Sequence, residues 1–334
     1  MDDLLTDVRE GDELDWSALE THLRAVLDLP NAPMHVRQFT GGAANLTYLA
    51  AFGSTRIVVR RPPRGTIAPG AHDMAREHRV LARLNDAYSR APRSLHFTDD
   101  TSIIGAPFVV VEYREGMVLR GDLPGSMAQH TDVERRLDLA LIDAVADLHA
   151  IDPQAIGLAD LGRPDGYAGR QVDGWHDRWR RVAPADDTGA MDDIAARLVA
   201  TLPTPARVAI VHNDLKLDNC QFQPDDPDVV TSVFDWDMAT LGDPLFDLGL
   251  VLNSMAGNPL WVLPTPDAAQ QYAERSGVDV SRLDWYLAFA SWRTAVVIQQ
   301  LYTRHLAGDA ADPRLASLGD AIEACVQRAQ VLTT

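Results

Sequence analysis

Ile210-Val211-His212-Asn213-Asp214-Leu215-Lys216-Leu217-Asp218-Asn219 is an apolar strand pattern that breaks into polar groups. Val233-Phe234-Asp235-Trp236-Asp237 repeats the break about twenty residues later. The two breaks bring the oxygen-bearing side chains of Asp214, Asn219 and Asp235 to the ends of apolar segments. Carboxylate and amide oxygens of this kind suit two tasks: accepting the proton of an attacking hydroxyl, and holding a hard cation such as Mg²⁺ against phosphate oxygens.

Composition narrows the setting in which that chemistry operates. The chain has 334 residues, 46% hydrophobic and 23% charged, with a formal net charge of −18. That mixture supports a sizeable core and excludes general disorder, and the length allows one large domain or two lobes. No apolar run approaches the roughly 18 to 20 residues of a bilayer span, and Met1-Asp2-Asp3 lacks the positive start of a secretory signal. A cytoplasmic location without a membrane partner is expected. The negative field argues against a nucleic-acid partner. Cys220 and Cys325 have neither disulfide nor metal-ligand spacing and read as reduced core thiols. Of the 30 basic residues 29 are arginines, and Lys216 is the only lysine.

Outward from the quoted stretch, hydrophobic periodicity divides the chain. Trp16, Leu19, Leu23, Val26 and Leu27 recur at helical spacing. Met34 to Phe39, Leu46 to Phe52 and Arg56 to Arg60 read as three antiparallel strands, separated by Gly41-Gly42 and Gly53-Ser54. A helix follows over 72–84, and Pro107 to Tyr113 reads as a buried strand leading to a hinge at Arg114-Glu115-Gly116. From Val133 the pattern is mainly helical, interrupted by short strands at Val208 to Val211 and Val229 to Phe234. It closes with helices around Trp285 to Leu306 and Leu315 to Leu332. The expectation is an α+β, two-lobed chain: a small antiparallel β lobe over 1–112 and a larger helical lobe over 113–334.

The five-residue step from Asp214 to Asn219 is the spacing of a kinase catalytic loop, with Asp as base and Asn as metal ligand. On these residues the chain resembles the aminoglycoside phosphotransferase and choline kinase superfamily, which has a protein-kinase-like fold. Arg60-Arg61-Pro62-Pro63, Leu148-His149-Ala150-Ile151-Asp152, Gly157-Leu158, Arg170-Gln171 with Trp175, and Leu241-Gly242-Asp243-Pro244-Leu245-Phe246-Asp247-Leu248-Gly249 are similar to the branch associated with acyl-CoA dehydrogenases. The resemblance implies ATP with Mg²⁺, Asp214 as catalytic base, and Asn219 and Asp235 as metal ligands. It also implies transfer of phosphate to the hydroxyl of a small-molecule acceptor.

Gly41, Gly42 and Asn45 lie between two predicted strands, where backbone N–H groups can approach phosphate. Kinases of this type place a cation on the third strand, paired with a helix carboxylate. With no lysine available, Arg60 takes that position and Glu77 is its natural partner, although Arg61 is an equally charged neighbour. Glu112 and Tyr113, at the strand end before the hinge, complete the nucleotide set. Lys216 is assigned to the transferred phosphate. Asp237 assists the metal or caps a turn, Asp243 and Asp247 brace the catalytic loop, and His212 fixes its geometry. Asn213 stands where the family usually has glycine.

For the acceptor, Arg170 is a candidate contact for an anionic group, while Trp175 and Trp179 share a helix face and read first as packing. Nine arginines between residues 56 and 93, against Asp73, Glu77 and Asp86, give the nucleotide lobe a basic character that the acidic total conceals. The resemblance ranks a hydroxyacyl-CoA first and aminoglycosides as the rival class, with choline-like amines and small sugars behind. A catalytically inactive nucleotide-binding module is the reading from another class. It is disfavoured because base, metal ligands and ion pair are all present.

Overall fold

A computed structural model describes residues 4–40, 45–65, 72–184, 189–306 and 318–333. The chain forms two compact units, each assembled from separate stretches of sequence. One comprises Met1–Ala144, Ile151–Ala159 and Leu217–Ala239; the other comprises Val145–Ala150, Asp160–Lys216 and Thr240–Thr334.

The first unit is built on a six-stranded antiparallel sheet. Its strands are β1 (Leu5–Thr6), β2 (Met34–Phe39), β3 (Leu46–Phe52), β4 (Thr55–Arg61), β5 (Ser94–Thr98) and β6 (Phe108–Glu112), in the order β1-β2-β3-β4-β6-β5. Gly53 makes the turn between β3 and β4 at φ +60°, a left-handed conformation that glycine adopts without strain. The sheet is wider than the strand pattern of the sequence. β1 has two residues and every residue of β5 is only half-buried, so neither carries the apolar alternation that announces a strand. Leu19 and Leu23 of α1 (Trp16–Val26) pack with Phe52, Ile57, Val59, Phe108 and Val110. Because successive strand side chains point to opposite faces, Ile57, Val59 and Arg61 share that face. Val58 and Arg60 belong to the other. The second helix, α2 (Met74–Leu84), is capped by Asp73, whose carboxylate accepts the Arg76 N–H at 2.9 Å.

The same unit holds the short helix α3 (Gly125–Ala128) and an antiparallel hairpin of two further strands, Cys220–Gln223 and Asp226–Val233. Helix α4 (Val133–His149) begins in this unit and ends in the other.

The second unit is helical apart from a strand pair. It contains α5 (Tyr167–Val182), α6 (Ala190–Ala200), β7 (Ala209–Val211), β10 (Thr240–Gly242), α7 (Leu245–Met255), α8 (Thr265–Ser276), α9 (Leu283–Leu306) and α10 (Leu318–Leu332). The hairpin strands of the first unit are β8 and β9 in chain order. Strands β7 and β10 pair antiparallel, Ile210 opposite Leu241. The first half of α9 is buried almost all round: Trp285, Tyr286 and Phe289 meet Phe246 of α7 edge to face with ring centroids 4.9 to 5.8 Å apart. Among the described residues no helix is long and apolar enough to cross a membrane.

Candidate active site

In the first unit the period of β4 selects the arginine. Arg61, on the α1 face, donates to the carbonyls of Pro62 and Ile104. Arg60, on the opposite face, meets Glu77 of α2 with Nε 2.8 Å from a carboxylate oxygen, and its Nη2 donates to Asp235 at 2.7 Å. Arg60 is 12% exposed and Glu77 2%. Asp235 follows β9 in the left-handed conformation, φ 73°. Asn219 ends a short 3₁₀ turn, Leu217–Asn219, directly before β8, and its carbonyl accepts the N–H of Phe234 at 2.9 Å. The hairpin ladder therefore ties Asn219 to the residue preceding Asp235. Asp237 accepts a hydrogen bond from Asn45 at 3.2 Å and lies 3.6 Å from His72 Nδ1.

This cluster is short of positive charge. Three carboxylates, Glu77, Asp235 and Asp237, surround the Arg60 guanidinium. Burial, followed by the charges of Asp235 and Asp237, pushes Glu77 up to about 7 even with Arg60 beside it. Burial and Asp235 likewise raise Asp237. Burial works against the Arg60 charge, but the three carboxylates outweigh it and hold the guanidinium protonated. Such an environment favours an added cation. Mg²⁺ usually takes one or two protein carboxylates and completes its shell with phosphate and water. Asp235 and Asn219 carry oxygens of the kinds that could form such a donor set, and Asn45 Oδ1 is a buried oxygen with no hydrogen-bond partner among the described residues. Among those residues no three His, Cys, Asp or Glu side chains form a metal cage by themselves.

The other nucleotide candidates fare differently. Gly41 and Gly42 lie outside the described residues. Glu112 accepts from the Arg93 N–H at 2.8 Å and from Arg114 Nε at 2.5 Å, and the Arg56 guanidinium lies 4.2 Å over the Tyr113 ring. Both side chains are engaged by arginines of their own unit.

The second unit carries the His212-Asn213-Asp214 loop at the end of β7. Asp247 of α7 is fully buried, and its two oxygens accept the N–H groups of His212 at 2.6 Å and Asn213 at 2.8 Å. Burial alone would raise Asp247; hydrogen bonds from His149 and the loop outweigh it and hold the carboxyl below its ordinary value. His149, at the end of α4, lies 3.2 Å from Asp247 through Nε2 and 2.7 Å from the Tyr272 hydroxyl through Nδ1. Asn213 has φ 66°, the left-handed region that asparagine tolerates better than most residues, so its presence in place of glycine is sterically sound. Its Oδ1 accepts from Tyr167 Oη at 2.6 Å. Asp214 and Lys216 form an ion pair at 2.8 Å, 30% and 40% exposed.

Sequence reasoning missed Arg293 of α9. It is buried, donates through Nη2 to the Asn213 carbonyl at 2.9 Å, and stands 4.8 Å over the ring of Trp175. A lone cation inside the apolar run Ala288 to Val297 was the available signal. Arg170, by contrast, donates to the carbonyls of Arg163 and Asp165 of the loop before α5. Trp175 and Trp179 are buried, as packing residues are.

An antiparallel sheet with a cation on its third long strand, a helix carboxylate paired to it, and a His-x-Asp loop anchored from below define a protein-kinase-like phosphotransferase fold. The chain belongs to the phosphotransferase enzyme family, whose profile matches residues 35–286. It is 29% identical over 340 residues to "Acyl-CoA dehydrogenase family member 10" of Mus musculus, covering 96% of this chain and 31% of that protein. The chain thus spans about a third of that relative. Among solved structures it is similar to a provisionally assigned aminoglycoside phosphotransferase of Ralstonia eutropha, with TM-score 0.82 and 27% identity over 96% of this chain and 98% of that one. The fold is shared with an aminoglycoside phosphotransferase bound to GDP and kanamycin (TM-score 0.62, 18% identity, 94% and 97% coverage). It is shared also with one bound to ADP and hygromycin B (0.60, 14%, 94% and 97%).

Proposed function

We propose that the chain is an ATP-dependent phosphotransferase that moves the γ-phosphoryl group to a hydroxyl of a small molecule, with a hydroxyacyl-CoA as the leading acceptor class. The observation that carries this reading is Arg60, held jointly by Glu77 and Asp235 at the end of the hairpin that begins beside Asn219. Arginine keeps its charge and its planar fork bridges a carboxylate and a phosphate together. The nucleotide is assigned to residues 1–112, through Arg60, Glu77, Gly41, Gly42, Asn45, Glu112 and Tyr113. The acceptor is assigned to residues 113–334. The Leu217–Ala239 segment follows the catalytic loop in sequence but packs in the same compact unit as Arg60, which favours a role for Asn219 and Asp235 toward the nucleotide's metal.

Mg²⁺ held by Asn219 and Asp235 would neutralise phosphate charge and orient the triphosphate. Asp214 takes the proton of the acceptor hydroxyl as its oxygen bonds to γ-phosphorus and the bond to ADP breaks. Lys216 offsets charge on the equatorial oxygens. The acyl-CoA preference rests on the relative named for acyl-CoA dehydrogenase, in which a segment like this chain forms part of a longer polypeptide. Similarity to the Ralstonia protein supports an aminoglycoside acceptor as the second reading. A cytoplasmic location, where ATP is supplied, goes with either.

The test is Mg²⁺-dependent ADP release with a panel of hydroxyacyl-CoAs and aminoglycosides. Asp214→Ala is expected to lower transfer by about 10²- to 10⁴-fold, the usual contribution of a positioned base. Turnover of antibiotics alone would reverse the acceptor ranking. Nucleotide binding without transfer to any acceptor would favour the inactive module, and Asp235→Ala with unchanged Mg²⁺-dependent nucleotide affinity would remove that residue from the metal set.

A further inference from the structure

Within the second unit lies a cavity of about 280 Å³ lined by Thr204, Arg207, Leu245, Asp279, Arg282 and Tyr286 among others. It is cationic in a chain whose net charge is −18. Its one carboxylate is already committed, since Asp279 accepts the Ser281 N–H at 2.8 Å and its hydroxyl at 2.9 Å. The two guanidiniums are held to backbone carbonyls rather than to acids: Arg282 donates to Thr201 at 3.0 Å, and Arg207 to His149 at 2.6 Å. Two guanidiniums against one carboxylate on the same cavity suit an anion. The volume is below the range of pockets that enclose drug-sized ligands, which favours a single oxyanion over a nucleotide.

We propose that this cavity binds a phosphate-sized oxyanion through Arg207 and Arg282, and that its occupancy is transmitted to the catalytic loop. The route is a run of hydrogen bonds. Arg207 holds the His149 carbonyl, the His149 ring holds Asp247, and Asp247 holds the N–H groups of His212 and Asn213. On the other wall Tyr286 donates to Asp243, whose second oxygen caps the Leu245 N–H. The hydroxyls of Tyr272 and Tyr286 complete these braces, the first against His149 and the second against Asp243.

Calorimetric titration with inorganic phosphate, in the presence and absence of saturating ADP and Mg²⁺, tests the site. Wild type is expected to bind phosphate in both conditions, and Arg282→Gln to weaken binding about tenfold, the loss of one charge-assisted hydrogen bond. Arg207→Gln combined with Arg282→Gln should abolish both binding and the phosphate-induced rise in Tm. If the double variant fails to fold, the exposed Arg282→Gln carries the test alone. Equal affinity in wild type and Arg282→Gln, or displacement of phosphate by ADP with Mg²⁺, would overturn the site. Amide exchange of His212 and Asn213 should slow with phosphate present; unchanged exchange would overturn the coupling. None of these readouts needs phosphotransfer, so the fate of the proposed activity and of this site are decided separately.

Discussion

Arg60 holds two carboxylates at once, and its removal is the sharpest test of how the first half of the site is kept together. Arg60→Met leaves Glu77 and Asp235 buried or half-buried without their cation. The expected loss is about 3–5 kcal/mol of stability, the cost of stranding a buried charge, read by denaturant unfolding. A loss under 1 kcal/mol would show that Glu77 simply takes up a proton, as its raised pKa allows. Asn213 provides the corresponding test in the loop after β7. Asn213→Gly and Asn213→Ala both lose the Tyr167 hydrogen bond, but only alanine pays for the left-handed backbone at φ 66°. The glycine variant is therefore expected to be more stable than the alanine variant by about 1 kcal/mol, measured by the same unfolding experiment. Equal stabilities would mean that the loop relaxes to negative φ.

At the scale of elements, the His212-Asn213-Asp214 loop is positioned from α7 and α7 is positioned by α9. Gly249 of α7 sits where an added Cβ would lie 2.8 Å from the Tyr286 carbonyl oxygen and 3.0 Å from its carbonyl carbon. Backbone on backbone leaves no flexible side chain to yield. Gly249→Ala should force the helices apart at a cost of about 1–3 kcal/mol, with transfer falling as Asp247 is withdrawn from the loop. Thermal unfolding and turnover together check this, and a variant with wild-type Tm would show that the contact is slack. The same logic explains which elements were legible. α1, β2, β3, β6 and α4 carry clear periodicity and stand within a residue or two of their expected limits. β1, β5, β8 and β10 are short or weakly apolar, and only pairing with a partner strand makes them strands.

Over the whole molecule the choice of arginine at every basic position but one makes a chemical label specific. Lys216 is the sole lysine among 334 residues, and its side chain is 40% exposed. An amine-directed acylating reagent should therefore add to one lysine side chain, seen by peptide mass mapping, and remove the ammonium that pairs with Asp214 at 2.8 Å. Transfer is expected to fall in proportion to the fraction modified. Full activity of completely acylated protein would take Lys216 out of the catalytic set.

By itself the sequence pointed to the phosphotransferase family and to the residue types of the candidate site, because a carboxylate, an amide and a second carboxylate at set steps along two strand ends are local patterns. It also narrowed the strand cation facing Glu77 to Arg60 or Arg61, since the strand holds no lysine. Which arginine meets Glu77 was decided by the sheet, where burial of Ile57 and Val59 against α1 turns Arg60 to the opposite face. Tertiary packing alone brought Arg293 from α9 to the Asn213 carbonyl and set Arg207 and Arg282 on one cavity. Those contacts join residues about 75 to 80 positions apart, a separation at which side-chain pattern carries no information and only the packing of helices does.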